Sequence, residues 1–295
     1  MTKADRPLRG IVYILISMTA FSLMNVFAKN MSGHYDVLQV VFFRSFFLLP
    51  PCAAVILLRR KPKLFRTQDW RGHILRGVVG LACMLCVFYS LKLLPLADAV
   101  AIGFLGPACA TVAAMLWLRE KASWHRWAAI IAGFIGVIIM AQPGAAPVDR
   151  LGFAVAVLGS ILYGLTMVRV RLLRGEHALT TVWIFGVFST LALGCALPFV
   201  WLTPTEGDLL QLAATGFFAF FGQLYVTKAY QCAPAATISP FNYTSLLWAV
   251  LFGYLYFHEL PTPQILAGAL VVILAGLYSA WFEAREHKRR SAAQL

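Results

Sequence analysis

Charged residues are scarce in this chain of 295 residues, at 13% of the total, and only 12 residues are acidic. Soluble domains typically carry about 25% charged residues, which their water-facing surface requires. Hydrophobic residues make up 60% of the chain, and the mean hydropathy is +0.76. These values exclude an ordinary water-soluble protein and predict an integral membrane protein that contacts the lipid bilayer.

Long polar segments are also missing, because the polar connections between the apolar stretches are short. An apolar helix needs about 20 residues to cross the hydrocarbon core, and the sequence predicts ten such spans. They lie near 11–29, 37–58, 73–92, 97–118, 126–142, 151–170, 179–202, 209–230, 236–257 and 263–282. This all-α arrangement leaves no room for a soluble catalytic domain, so we expect the protein to act within the membrane.

Motifs for hydrolysis, nucleotide binding and metal binding are absent from the sequence. The segment His258-Glu259-Leu260-Pro261-Thr262 comes near to a metalloprotease motif, but threonine stands where the second histidine is required. There is no Walker A loop, no serine elbow and no cluster of metal ligands. We therefore predict no enzymatic activity, no metal and no cofactor. The alternatives are an intramembrane lipid-modifying enzyme, which needs a catalytic Asp, Glu or His at depth, and a channel.

The net charge of +13 is distributed unevenly along the chain. Nearly all Lys and Arg residues flank the spans on one side, whereas Lys29, Lys92 and Arg150 fall on the other and Arg44 lies within a span. The positive-inside rule then predicts a bacterial-type inner membrane protein with both termini in the cytoplasm. A basic tail near anionic lipid explains this charge without a nucleic acid partner.

Two halves of the chain resemble each other, and the match from Pro95 to Glu120 has no gap. At an offset of 139 or 142 residues the aligned pairs are Pro95 with Pro234, Ala97 with Ala236, Glu120 with Glu259, Gly10 with Gly152, and Lys29 with Arg171. The predicted units are two five-helix repeats, 1–145 and 146–283, followed by a basic tail, 284–295. Because five is odd, the second repeat enters the membrane from the opposite side. Inverted repeats of this kind are typical of secondary transporters that work by alternating access.

Several local features carry a family resemblance over essentially the whole chain. They are the turn 90–95, Gly106-Pro107, Glu120 and the glycine-rich 133–136, with their second-half counterparts 229–234, Glu259, Gly268 and Gly276. On these residues the chain resembles the drug/metabolite transporter superfamily, in its EamA-type ten-helix members. The resemblance implies a small-molecule transporter that is a monomer or a homodimer. The second half departs from the pattern at Leu246, where the first half has Pro107.

Two further segments resemble one particular branch of this superfamily. His73-Ile-Leu-Arg76-Gly77 and Trp124-His-Arg-Trp127 are similar to a branch that contains importers of S-adenosylmethionine and riboflavin. Exporters of aromatic amino acids share the fold at a greater distance. The substrate implied is a small polar or amphipathic metabolite that is amino-acid-like, S-adenosylmethionine-like or riboflavin-like.

Polar side chains within the spans are the candidates for binding the substrate, because they must face protein or water. The predicted binding residues are Arg44, Asn25, Tyr89, Gln223, Asn242, Tyr243 and Thr244. The resemblance implies a cavity among the third, fourth, eighth and ninth spans, which favours Gln223 and the 242–244 cluster. Each residue taken alone is equally compatible with a hydrogen bond between helices.

Arg44 is unusual because it lies eight residues after Asp36, about 12 Å along a helix and therefore deep in the membrane. Its repeat equivalent is Gly186, so the charge exists in only one half. The sequence leaves three roles open: binding a substrate carboxylate or phosphate, pairing with a group such as Asp98, or bonding to backbone carbonyls.

Another set of residues is predicted to serve gating or coupling. Pro107 and Pro240 each remove a backbone donor and weaken a helix. Glu120 and Glu259 close equivalent helices at opposite faces, where each either pairs with a cation as a lock or anchors the helix at the water interface. Asp98 is the candidate for proton coupling, and its place near the outer end of the fourth span predicts solvent access.

Overall fold

The computed structural model describes residues 7–67, 69–118, 124–141, 149–173, 176–232 and 239–292. Within these ranges the chain forms helices and no strands. The α-helices are α1 Pro7–Ser32, α2 Val37–Leu58, α3 Trp70–Leu93, α4 Leu96–Gly103, α5 Leu105–Leu118, α6 Trp124–Ala141, α7 Arg150–Leu172, α8 Ala178–Ala196, α9 Glu206–Cys232, α10 Thr244–Phe257 and α11 Pro263–Ala292. Short 3₁₀ segments cover Pro62–Phe65, Leu197–Phe199 and Ser239–Tyr243.

Six of these helices are long and apolar enough to cross a membrane unbroken: α1, α2, α3, α7, α8 and α9. The predicted fourth span is instead two helices, α4 and α5, separated at Phe104. The described part of the ninth span begins as the 3₁₀ segment Ser239–Tyr243 and continues as α10. We call these two spans discontinuous, since one is interrupted at Phe104 and the other changes from 3₁₀ to α geometry at Tyr243.

The last helix is longer than predicted. We expected the tenth span to end at 282 and a separate tail to follow, but α11 continues to Ala292. The segment after 282 has good helix formers and no glycine or proline, so nothing in it stops the helix at the membrane boundary.

Polar side chains mark where several helices begin. The carboxylate of Asp36 accepts a hydrogen bond from the backbone N–H of Leu38 at 2.8 Å and caps α2. Asp69 caps α3 and Asp149 caps α7 in the same way, and the His177 ring caps α8. These caps satisfy backbone donors that the helix itself leaves unpaired.

Replacing Asp36 with alanine is expected to lower the free energy of unfolding by about 1 kcal/mol, because α2 loses its N-cap acceptor. Thermal unfolding of the purified protein in detergent measures this loss. Asp36→Asn keeps a capping oxygen and is the matched control. Equal stability of the alanine and asparagine variants would contradict the capping role.

Helix packing interlaces the two repeats. The most extensive contacts join α1 to α9, α3 to α7, and α6 to α11, and each pair combines a helix from each half of the chain. The α1–α9 pair and the α7–α3 pair are repeat equivalents. The described helices therefore follow the inverted two-repeat architecture that the offsets predict.

Close helix approach depends on small residues. A Cβ atom at Gly164 would lie 2.6 Å from the backbone carbon of Cys109, which lets α7 pack directly on α5. A Cβ at Gly136 would lie 2.8 Å from the carbonyl oxygen of Gly268, where α6 meets α11. Such close approach is expected where membrane helices associate through small side chains.

The outer surface of the bundle is apolar. Large hydrophobic side chains such as Leu58, Leu191, Phe199 and Leu247 are each at least two-thirds exposed. In water such a surface would aggregate, whereas hydrocarbon solvates it. The protein is therefore a multi-pass membrane protein.

Candidate functional site

A partly buried ion pair joins four elements at one end of the bundle. Lys29 Nζ, in the last turn of α1, lies 3.1 Å from Glu259 Oε1, just after α10. The backbone N–H of Leu96, at the start of α4, donates to Glu259 Oε2 at 2.9 Å. Lys29 Nζ also donates to the carbonyls of Leu94 at 2.5 Å and Leu91 at 3.3 Å, at the end of α3. We call the end of the bundle where α1, α3 and α10 finish the Lys29 face.

The backbone positions Glu259 for this contact. His258 ends α10 in the left-handed conformation, with φ of 54°. The N–H of Glu259 then donates to the carbonyl of Gly253 at 3.0 Å, which turns the chain back over the helix end. A left-handed histidine is uncommon and costs about 1 kcal/mol, so the surrounding contacts must hold it.

Asp98 lies beneath the ion pair, in the first turn of α4. Its side chain is 7% exposed, so the predicted solvent access is wrong. The reason is the returning chain after α10, since the bond from Leu96 to Glu259 covers the start of α4. Oδ1 of Asp98 is buried and has no hydrogen-bond partner in the part of the chain that the structure describes. The charged groups that act on Asp98 are Glu259 and Lys29, and within the described residues Lys29 forms its ion pair with Glu259.

The two helix breaks meet in space. Phe104 separates α4 from α5, and Tyr243, the last residue of the 3₁₀ segment, precedes α10. The offset of 139 residues relates Phe104 to Tyr243, so the breaks are repeat equivalents. Their rings are in edge-to-face contact, with centroids 5.0 Å apart. The aromatic pair therefore joins the discontinuous spans of the two halves to each other.

Tyr243 reaches past Phe104 to α11. A Cβ atom at Gly276 would overlap Tyr243 Oη and would lie 2.6 Å from its Cζ. Only glycine leaves room for the tyrosine side chain at this point. The repeat glycine that appears in the sequence pattern thus has a specific partner.

The other predicted binding residues are spread over several helices. Arg44 is 5% exposed in α2, whereas Asn25 in α1 and Gln223 in α9 are half-buried on helices that pack together. Tyr89 is 38% exposed, and Asp36 is the charged group that acts on it, which places Tyr89 toward the Lys29 face rather than at mid-depth. The structure therefore does not gather all of these residues at one point.

The cluster before α10 is partly engaged by its own backbone. Thr244 Oγ1 donates to the carbonyl of Phe241 at 2.7 Å, and Ser245 Oγ donates to that of Asn242 at 2.8 Å. Such bonds satisfy hydroxyls where a helix starts. Glu120 and the side chains of Pro107 and Pro240 lie outside the described residues. Within the described ranges, no group of three or more His, Cys, Asp or Glu is placed to hold a metal ion.

Sequence reasoning missed Lys29 as the partner of Glu259. The repeat alignment contained the information needed to find this pair, because it aligns Lys29 with Arg171 and Glu120 with Glu259. A basic and an acidic residue thus recur in both halves, which is the pattern expected of two equivalent ion pairs. The sequence alone does not show that the ends of α1 and α10 come together.

A family model that covers most of the chain matches it twice, at residues 8–142 and 150–280. The chain belongs to the EamA-like transporter family. A crystal structure of another protein has the same fold, with a TM-score of 0.65 at 16% sequence identity over 93% of this chain and 98% of the other. The resemblance to the drug/metabolite transporter superfamily is confirmed, and this EamA-like protein is a transporter of small metabolites.

Its curated relatives include transporters of two different substrates. An S-adenosylmethionine uptake transporter of Rickettsia prowazekii is 24% identical, over 97% of each chain. A riboflavin transporter of Rhizobium johnstonii is 29% identical, over 97% of this chain and 95% of the other. A riboflavin transporter of Vibrio cholerae is 27% identical, over 98% of each. The EamA-like protein is therefore similar over its full length to both kinds.

Proposed function

We propose that the chain carries a small polar metabolite across the inner membrane by alternating access and that the structure is closed at the Lys29 face. The ion pair of Lys29 with Glu259 carries this proposal. It links the end of α1 to the ends of α3 and α10 and the start of α4, and α1 packs mainly on α9 whereas α3 packs mainly on α7. The pair therefore ties together two groups of helices that must separate for the Lys29 face to open.

The inverted repeat supplies a second lock. Arg171 and Glu120 are the repeat equivalents of Lys29 and Glu259, and the inverted topology assigns them to the opposite face. We propose that these residues pair when that face closes and separate when it opens. Exchange between the two pairs would give one substrate site access to each side in turn.

The proposed path runs along the residues that the sequence singled out. Asn25, Tyr89, Gln223, Asn242, Tyr243 and Thr244 line it in this proposal, with Pro107 and Pro240 weakening the discontinuous spans and Asp98 linking protonation to the gate. The repeat units 1–145 and 146–283 supply the inverted halves. The distribution of Lys and Arg supports cytoplasmic termini and an outward Lys29 face.

Uptake into proteoliposomes tests the transport proposal. Purified protein is reconstituted and offered radiolabelled S-adenosylmethionine, riboflavin and an aromatic amino acid, the substrate classes of similar transporters. We expect saturable uptake of at least one of them, which an excess of the same unlabelled compound inside the liposomes accelerates by exchange. Protein-free liposomes are the control. Absence of uptake together with chemical turnover of a lipid or metabolite would contradict the proposal.

A further inference from the structure

Arg44 is a buried cation that forms no ion pair among the described residues. Its side chain is 5% exposed, and its buried Nε has no hydrogen-bond partner among the described residues. Pairing with Asp98 is not seen, since the charges that act on Asp98 are Glu259 and Lys29. An unpaired charge at this depth costs several kcal/mol, so a structural role alone does not account for it.

The helix face of Arg44 points toward the interior of the bundle. Val37, Val41 and Leu48 lie seven, three and four residues away on the same face, and each is at most 1% exposed. Phe46, on the other side of α2, is 43% exposed. The guanidinium is therefore carried on the side of α2 that faces protein, not lipid.

Three hydroxyl groups lie at the same level as Arg44. The antiparallel helices α2 and α8 touch where Phe42 meets Gly194 and where Leu48 and Leu49 meet Gly186. The segments between these contacts face each other over about two helical turns. The hydroxyls within them are those of Ser45 on α2 and of Ser189 and Thr190 on α8.

These hydroxyls are unusual for a membrane helix. Elsewhere in this protein, Ser32 and Thr166 donate to the carbonyl one turn earlier, which is the ordinary arrangement. The oxygens of Ser45, Ser189 and Thr190 are buried and have no hydrogen-bond partner in the ranges that the structure describes. Together with Arg44 Nε, four polar atoms at one level of the α2–α8 pair lack a partner.

We propose that Arg44, together with Ser45 and Ser189 at the same level of the α2–α8 pair, binds the carboxylate of the transported substrate and thereby selects organic zwitterions and anions over neutral compounds. This inference rests on the proposed transport function. A guanidinium pairs with both oxygens of a carboxylate, and serine hydroxyls donate to the lone pairs that remain. Since Gly186 stands at the repeat-equivalent position, the subsite takes one carboxylate and fixes the orientation of the substrate.

The substrates of the two kinds of relative differ in whether they carry a carboxylate. S-adenosylmethionine has a carboxylate and riboflavin has none, so the subsite favours the first class. Three matched pairs isolate the anionic group: S-adenosylmethionine with its decarboxylated form, phenylalanine with phenethylamine, and riboflavin phosphate with riboflavin. Binding is measured with the purified full chain as ligand-induced thermal stabilisation and by calorimetry.

For the carboxylate pair that the wild type recognises, we expect the acid to bind about 10- to 100-fold more tightly than its decarboxylated partner, as for a charge-assisted hydrogen bond. Arg44→Gln should abolish this preference for the acid, and Arg44→Lys should keep part of it. Ser189→Ala should reduce the affinity ratio by about 3- to 10-fold. If Arg44→Gln does not fold, the lysine and alanine variants decide the question.

Arg76→Gln is the control, because Arg76 is a half-buried arginine whose Nε also lacks a partner among the described residues but whose guanidinium has structural contacts. Its guanidinium donates to the carbonyl of Thr181 at 3.3 Å and lies 5.0 Å from the Phe185 ring. This variant should lose stability and keep the wild-type ratio.

An unchanged ratio in Arg44→Gln, or preference for riboflavin phosphate over riboflavin without any carboxylate preference, would overturn the carboxylate subsite. Uptake of riboflavin with no preference in any pair would overturn it while leaving transport intact, whereas no binding and no uptake of any compound would overturn both proposals.

Discussion

Glu259→Gln is expected to increase the population open at the Lys29 face by about 10- to 100-fold. Glutamine cannot neutralise Lys29, whose side chain is only 10% exposed in the closed state. Breaking a fully buried pair costs about 3–5 kcal/mol, and the 29% exposure of Glu259 reduces this to about 1.5–3 kcal/mol by screening. Because the cost falls on the closed state, the equilibrium shifts by about tenfold for each 1.4 kcal/mol.

Maleimide labelling of a cysteine placed at Ala97 measures this population. Ala97 is 4% exposed in the first turn of α4, below the ion pair, so a thiol there reacts only when the face opens. The native cysteines are replaced by alanine in every variant to remove background labelling. The labelling rate should rise in Glu259→Gln by the same factor as the open population.

Two variants make this experiment specific. Glu120→Gln removes the proposed lock at the opposite face and should slow the labelling of the same cysteine. Asp208→Asn is the matched control, because Asp208 accepts a hydrogen bond from Tyr35 at 2.8 Å within the group of helices α1, α2 and α9 and does not bridge to α3 or α10. Equal labelling rates in Glu259→Gln and the wild type would show that the pair does not hold the face closed.

Gly276→Ala is expected to destabilise the present conformation by about 1–3 kcal/mol, the usual cost of forcing extra volume into a packed site. The new methyl group would overlap Tyr243 Oη, and the ring can leave only by giving up its edge-to-face contact with Phe104. Since that contact joins the two discontinuous spans, we expect initial uptake rates to fall by about 5- to 150-fold if the cost falls on one state. Thermal unfolding and proteoliposome uptake measure the two effects.

A rescue variant and a control test this explanation. A second change, Tyr243→Leu, removes the ring that clashes and should restore the stability of Gly276→Ala, although not the contact with Phe104. Gly103→Ala is the matched control, because a Cβ at Gly103 in the neighbouring α4 would have no atom within 4 Å. Wild-type stability in Gly276→Ala alone would show that Tyr243 moves aside freely.

The repeat and the helices could be predicted because they depend on local sequence. Apolar runs set the spans, and the gapless spacing from Pro95 to Glu120 recurs in the second half. The break at Phe104 lies three residues before Pro107, the residue expected to weaken the fourth span. Each span is encoded in one continuous segment of about 20 residues, and the repeat becomes visible when two such segments are compared.

The ion pair and the burial of Asp98 could not be predicted, because both depend on where distant segments meet. Lys29 and Glu259 are separated by most of the chain, and no local pattern states that α1 ends beside α10. Asp98 is near a helix end, which normally means contact with water, but the chain after α10 folds over it. The polar residues within the spans could be read from the sequence. Which of them lack a hydrogen-bond partner depends on how the helices pack.

The interlaced packing of the repeats has a consequence for biosynthesis. Ser17 in α1 donates to the carbonyl of Gly222 in α9 at 2.7 Å, across 205 residues of chain. The ribosome therefore releases α1 into the bilayer long before its main packing partner exists, and until then the Ser17 hydroxyl needs another acceptor, such as the carbonyl one turn earlier in α1. The main packing contact of α1 therefore forms only after α9 has been synthesised, so the final arrangement of the first half depends on the second.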